Sequence, residues 1–189
     1  MILVRRYGRN PPMPADIRER VEEDKGILKK IQSFIPGFRG YRRREDLRDA
    51  DRMLRMQLAD RLGKQRRGLE ECRSLLVQGG GFKELDAVGG LINQFKKVEG
   101  QVTHAEMGYS GIAADIQIKE SELDTLYEFD AAMIDHITVI NAAIDSLKNS
   151  LVAADEQTSH KDIMNIKARI TAFEDQFDRR MNVMQGTEV

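Results

Sequence analysis

The chain of 189 residues has no tryptophan, one cysteine, four prolines, three histidines and only 6% aromatic residues. Each shortage excludes something. A lone Cys72 rules out an internal disulfide and suits a reducing compartment, so a cytoplasmic protein is expected. Few aromatics and prolines beside 32% charged residues favour long helices over a compact enzyme fold. No apolar run approaches the ~20 residues that span a bilayer. The start, MILVRRYGRNPP, reaches Arg5 and Arg6 after three apolar residues and lacks the hydrophobic stretch of a signal peptide.

The scarce polar chemistry is also badly spaced for catalysis. A di-iron bundle needs a carboxylate three residues before a histidine, and Gln101, Met133 and Gln157 stand before His104, His136 and His160. One cysteine and three scattered histidines miss the usual zinc spacings. The stretch GGGFKELD has glycines and a lysine without the spacing of a phosphate-binding loop. Cys72 sits on an apolar helix face and reads as a packing thiol. His136 beside Asp135 is not an acid–base pair, because adjacent helical residues point in different directions. Glu128 with Asp130 makes a poor metal site. No catalytic residue, cofactor, metal or small-molecule substrate is therefore assigned, and a non-enzymatic protein is expected.

What the chain does have is helical periodicity, in five segments. The first follows Pro12 and Pro14, with Asp16 as N-cap and Ile17, Val21, Leu28, Ile31 and Ile35 on one stripe, and it stops at Pro36-Gly37. The second runs from about Arg43 to Val77 through Leu47, Leu54, Leu58, Leu62, Leu69, Cys72 and Leu76. Gly63 and Gly68 weaken it, and Gly79, Gly80 and Gly81 end it. The third begins near Phe82 and carries Leu85, Val88, Leu91, Phe95, Val98 and Val102. A looser stretch, MGYSGIAADIQI, follows, where Ile116 and Ile118 alternate as a very short strand would.

The fourth segment, capped by Ser121, has the clearest seam: Leu123, Leu126, Asp130, Met133, Ile137, Ile140, Ile144, Leu147 and Leu151. Its steps alternate between three and four over four heptads, the period of knobs-into-holes packing. Asp130 alone breaks it: a buried carboxylate there would need a partner and could fix register or oligomeric state, but the favoured reading has it facing solvent or the GYSG loop while Tyr127 supplies the apolar contact. Thr158 or Ser159 caps the fifth segment, with Ile163, Ile166, Ile170, Phe173, Phe177, Met181 and Met184 inside. A link of about six residues between the last two segments makes them an antiparallel hairpin. The expected fold is all-α, one elongated antiparallel bundle of about five helices with coiled-coil-like packing. Residues 1–15 form an N-terminal arm, 16–103 a basic half, and 104–189 an acidic half with the hairpin. The alternative is an open arrangement in which helices two and four pair between subunits.

Charge divides along the same line. Residues 1–103 carry 23 Lys/Arg against 15 Asp/Glu, and residues 104–189 carry 7 against 16. Within the basic half, Arg39, Arg42, Arg43, Arg44 and Arg48 crowd the start of the second helix, where the helix dipole disfavours cations. The leading reading pairs them with carboxylates of the acidic half, Glu120, Glu122, Asp124 and Glu128, within or between copies, because opposite charge is present in the chain. Nucleic acid and an anionic membrane follow. The membrane is suggested by ILKKIQSFIPGFRGYRRR, in which Phe34, Phe38 and Tyr41 lie among cations. The expected function is a helical interaction or scaffold protein, a homo-oligomer or partner of another helical protein. Its assembly seam would be Leu126, Met133, Ile137, Ile140, Ile144, Leu147 and Leu151.

The runs IPGFRGYRRREDLRDADRMLR, HAEMGYSGI and ELDTLYEFD resemble a family of uncharacterised helical proteins of archaea and bacteria, over about residues 30–150. The resemblance implies that the Pro-Gly-Arg turn and the GYSG loop are family features. It implies no activity and no catalytic residue.

Overall fold

The structure, a computed structural model, describes residues 16–38, 44–81, 83–105 and 120–185, with side chains from 25–38, 49–81, 83–105 and 123–185. These residues form five helices and, among them, no strand: α1 (Asp16–Phe34), α2 (Arg44–Gly79), α3 (Leu85–His104), α4 (Glu120–Val152) and α5 (Glu156–Gln185). The segment expected to hold a short strand, with Ile116 and Ile118, lies outside the described residues, as does the GYSG loop.

Two antiparallel hairpins, α2–α3 and α4–α5, lie side by side. Their relative direction follows from side-chain contacts. Gln65 Nε2 donates to the Ile137 carbonyl at 2.6 Å and Lys148 Nζ to Glu71 at 2.6 Å, so α2 and α4 run parallel. Gln94 meets Thr171 and Lys97 meets Glu174, so α3 and α5 run parallel as well. Three of these contacts join residues 77 apart in sequence: Glu71 to Lys148, Gln94 to Thr171, and Lys97 to Glu174. The α1 helix packs outside on α4 in the opposite direction, with Lys30 on Asp135 and the Phe38 ring edge-on to Tyr127 at 6.4 Å.

A single apolar core results. The α4 seam of Leu126, Met133, Ile137, Ile140, Ile144 and Leu147 is buried within one chain, facing Leu54, Leu58, Leu62 and Leu69 of α2 and the Ile163–Ile166–Ile170–Phe173–Phe177 stripe of α5. Leu123 and Leu151 at the seam's ends are half-buried. The expectation that two subunits complete this seam meets a bundle that fills it from its own helices. At Gly68 the absent side chain has a use: a Cβ there would lie 3.1 Å from Ile144 Cγ2, so glycine lets α2 approach α4 closely. The cost to helix propensity is offset by that contact.

The helix ends show where local expectation slipped. The α3 helix starts at Leu85, three residues after Phe82. The α5 helix starts at Glu156, capped by Asp155, whose Oδ1 accepts the Thr158 amide at 3.0 Å and whose Oδ2 accepts the Thr158 hydroxyl at 2.6 Å. Thr158 is thus the partner of the cap rather than the cap itself, and these bonds hold the Asp155 carboxyl below its ordinary value. Ser159 is buried inside the helix.

The α4–α5 link shrinks from the expected six residues to 153–155 because the turn is a Schellman motif. Asp155 N donates to Ser150 O at 2.9 Å and Ala154 N to Leu151 O at 3.2 Å. The α2 end uses the matching bond, Gly81 N to Leu76 O, with Gly80 at φ 73°. In α4 the left-handed position is held by Ala154 at φ 55°. An alanine there is strained by about 1 kcal/mol relative to glycine. Ala154→Gly is therefore expected to raise stability by about 1 kcal/mol and Gly80→Ala to lower it by a similar amount, measured as urea-unfolding midpoints at unchanged m.

Candidate functional site

The bundle end at which α2 and α4 begin holds a buried ionic network. Arg180 of α5 is 0% exposed; its Nη1 donates to Asp51 of α2 at 2.6 Å and its Nε to Asp130 of α4 at 2.6 Å. The second Asp51 oxygen accepts Arg55 Nε at 2.9 Å, one helical turn along α2. Arg55 Nη1 then donates to the carbonyl of Ala105, the residue after α3, at 2.7 Å. Two guanidinium groups and two carboxylates thus join all four bundle helices, and their formal charges cancel.

This network overturns two readings. Asp130 is 0% exposed and faces Arg180, whereas solvent or the GYSG loop had been expected. Arg180 also replaces Met181 at the core-facing position of α5: buried positions run Phe177, Arg180, Met184, while Met181 is half-buried. Both spacings fit a helix, and a charged side chain is discounted for the interior unless its counter-charge is known. The legible signal was Asp130 itself, the one acid in an otherwise apolar seam.

Above the network lies an open depression of about 420 Å³ lined by Arg52, Arg55, Met56, Ala59, Thr103 and Ala105. Met56 is 62% exposed, and Arg52 is exposed on the preceding turn. Arg55 forms one wall and is pinned from below by Asp51. Arg44 and Arg48 stand two turns and one turn before Arg52 on the same helix.

The residues expected to bind are only partly among the described residues. Arg39, Tyr41, Arg42 and Arg43 lie outside the described residues, as do the side chains of Arg44, Arg48, Glu120 and Glu122. Asp124 and Glu128 are exposed on α4. Among the described residues, the charge halves are linked by Lys30 with Asp135, Lys97 with Glu174, Lys148 with Glu71, and Arg180 with Asp51. The exposed pairs are screened by solvent and contribute little stability. Phe34 is half-buried with the Arg61 guanidinium 5.6 Å from its ring centroid, and Phe38 is buried. Their packing removes Phe38 from any interfacial role.

Isolated reactive groups are accounted for by burial. Cys72 is buried, and burial pushes its thiol up to about 11 despite nearby Lys148. His136 falls below its ordinary value, first through burial and then through Arg169, with Asp135 opposing weakly. Asp135 pairs with Lys30 instead, so the two neighbours form no dyad. Gln65 Oε1 is buried without a hydrogen-bond partner. Among the described residues, no three His, Cys, Asp or Glu side chains are grouped to hold a metal, and no helix is long and apolar enough to cross a membrane. No protein-family model, curated protein or solved structure matches the chain.

Two outcomes follow. Arg180→Met removes the buried counter-charge shared by Asp130 and Asp51, leaving Asp51 with Arg55, and is expected to cost about 3 kcal/mol by urea unfolding. Cys72 should resist a thiol reagent at pH 8 until urea unfolds the chain, because the native thiol stays protonated to about 11. A folded value above the unfolded one stabilises the fold below the unfolded value, and this contribution fades as pH rises through about 11.

Proposed function

We propose that this protein is a non-enzymatic helical interaction protein of the cytoplasm that self-associates or bridges partners, engaging them at the end where α2 begins. The observation that carries the reading is the depression beside Arg52, with Met56 62% exposed over Ala59 and one wall fixed by Arg55. An exposed methionine with cations along the same helix fits an acidic helix that offers an apolar anchor. A second copy supplies one such helix, since α4 exposes Asp124 and Glu128. Opposite charge of this kind sets partner choice and encounter rate more than affinity.

Sedimentation equilibrium at tens of micromolar is expected to show an oligomer. Arg52→Glu with Met56→Asp should weaken it, and Asp124→Lys with Glu128→Lys should partly restore it. A monomer at every concentration would remove self-association from the reading. The runner-up is peripheral binding of an anionic membrane surface or nucleic acid through Arg39, Arg42, Arg43, Arg44 and Arg48. It retains the charge but loses an apolar insertion, because Phe38 is committed to the core. Vesicle flotation and electrophoretic shift assays separate these partners, and phosphate-dependent binding should fall steeply with salt.

A further inference from the structure

We infer that the turn end of the bundle, opposite the proposed interaction surface, carries a binding site for a small primary alkylammonium ion. The site is a cavity of about 110 Å³ between the α2–α3 and α4–α5 turns. Leu75 and Leu76 of α2 and Leu151 of α4 supply its apolar lining, while Glu84, Glu156 and Ser159 supply polar groups. Cavities that hold drug-sized molecules run to roughly 300–1,000 Å³, so this one suits a ligand of only a few non-hydrogen atoms.

Ser159 is the observation that points to a ligand. It lines the cavity, it is 2% exposed, and among the described residues its Oγ makes no hydrogen bond. One turn further along α5, by contrast, Asp162 accepts the Ser146 and Ser150 hydroxyls at 2.9 and 3.0 Å. A buried hydroxyl without a partner is costly unless something in the cavity bonds it.

The charges say what kind of group that is. Glu84 is the N-cap of α3 and Glu156 opens α5, positions that helix dipoles favour for acids. The dipoles account for their presence, yet Glu84 makes no side-chain capping bond. Among the described residues no cation pairs with Glu84, Glu156 or the buried Asp162. An anion is repelled from such a place. A primary ammonium has three donors and no acceptor, which matches one hydroxyl oxygen and two carboxylates. Its alkyl stem lies on the leucines, as lysine stems lie on apolar surface. A metal ion fits less well, because no three ligating side chains are grouped among the described residues and leucine carbons offer it nothing. This inference goes beyond the interaction surface at the start of α2 and does not depend on it.

The test titrates n-butylammonium chloride into the full, isotope-labelled chain at neutral pH and follows backbone amides by NMR. Saturable shifts are expected at Gly79, Gly81, Ala154 and Ser159, with the amides around Arg52 and Met56 unmoved. Methylammonium lacks the stem and n-butanol lacks the charge, so each is expected to bind about tenfold more weakly. Glu84→Gln with Glu156→Gln, neither of them in the core, should weaken n-butylammonium about fivefold, since partly solvated charges contribute little each. Ser159→Ala should weaken it about tenfold while urea stability stays level or rises, because the unbonded hydroxyl is gone. Shifts that are absent or do not saturate, n-butanol binding as tightly as n-butylammonium, or unchanged affinity in Ser159→Ala would each overturn the inference. Unchanged affinity in the double glutamine variant would overturn it equally.

Discussion

Arg180 lies at the centre of the molecule's constraints, because a fully buried guanidinium must be neutralised where it stands. Its two donors reach Asp51 on α2 and Asp130 on α4, which brings three helices to one point. Asp51 then holds Arg55, and Arg55 holds the backbone just beyond α3. Two positive and two negative groups pair there, with Arg180 and Asp130 fully buried and Arg55 at the edge of the surface depression. The wall of the surface depression inherits its position from this network, through Arg55.

Away from that end the bundle is held mainly by apolar burial. Leucines and isoleucines of α2, α4 and α5 fill the interior, while Gly68 lets the two hairpins approach. The turns at Gly80 and Ala154 close the opposite end with the same hydrogen-bond pattern, one with the residue that fits and one without. Apolar burial is non-directional and scales with area, so it makes the bundle stable without saying which helix aligns with which. Directional charge pairing joins α2, α4 and α5 at one end.

The surface consequence concerns the arginine-rich start of α2. Packing takes Phe38 into the core and sets Phe34 against Arg61, so these two aromatic residues serve the fold. The cationic positions on the same helix lead toward Met56. A charged residue beside an exposed apolar one, Arg52 with Met56, is the feature on which the proposed interaction surface is drawn.

Periodicity by itself determined the five helices, the apolar stripes and the glycine end of α2, because those depend on residues three and four apart. Turn chemistry was only partly legible: Asp155 outcompeted Thr158 as a cap, and the tight turn tolerated Ala154 where glycine is usual. The parallel alignment of the hairpins, the burial of Asp130 and the core role of Arg180 were decided by tertiary structure alone. Asp51 and Arg180 are 129 residues apart in sequence, and neither belongs in an interior until the other is beside it. Local pattern carries no record of such a partner, since the free energy of a buried charge depends on the pair formed in space.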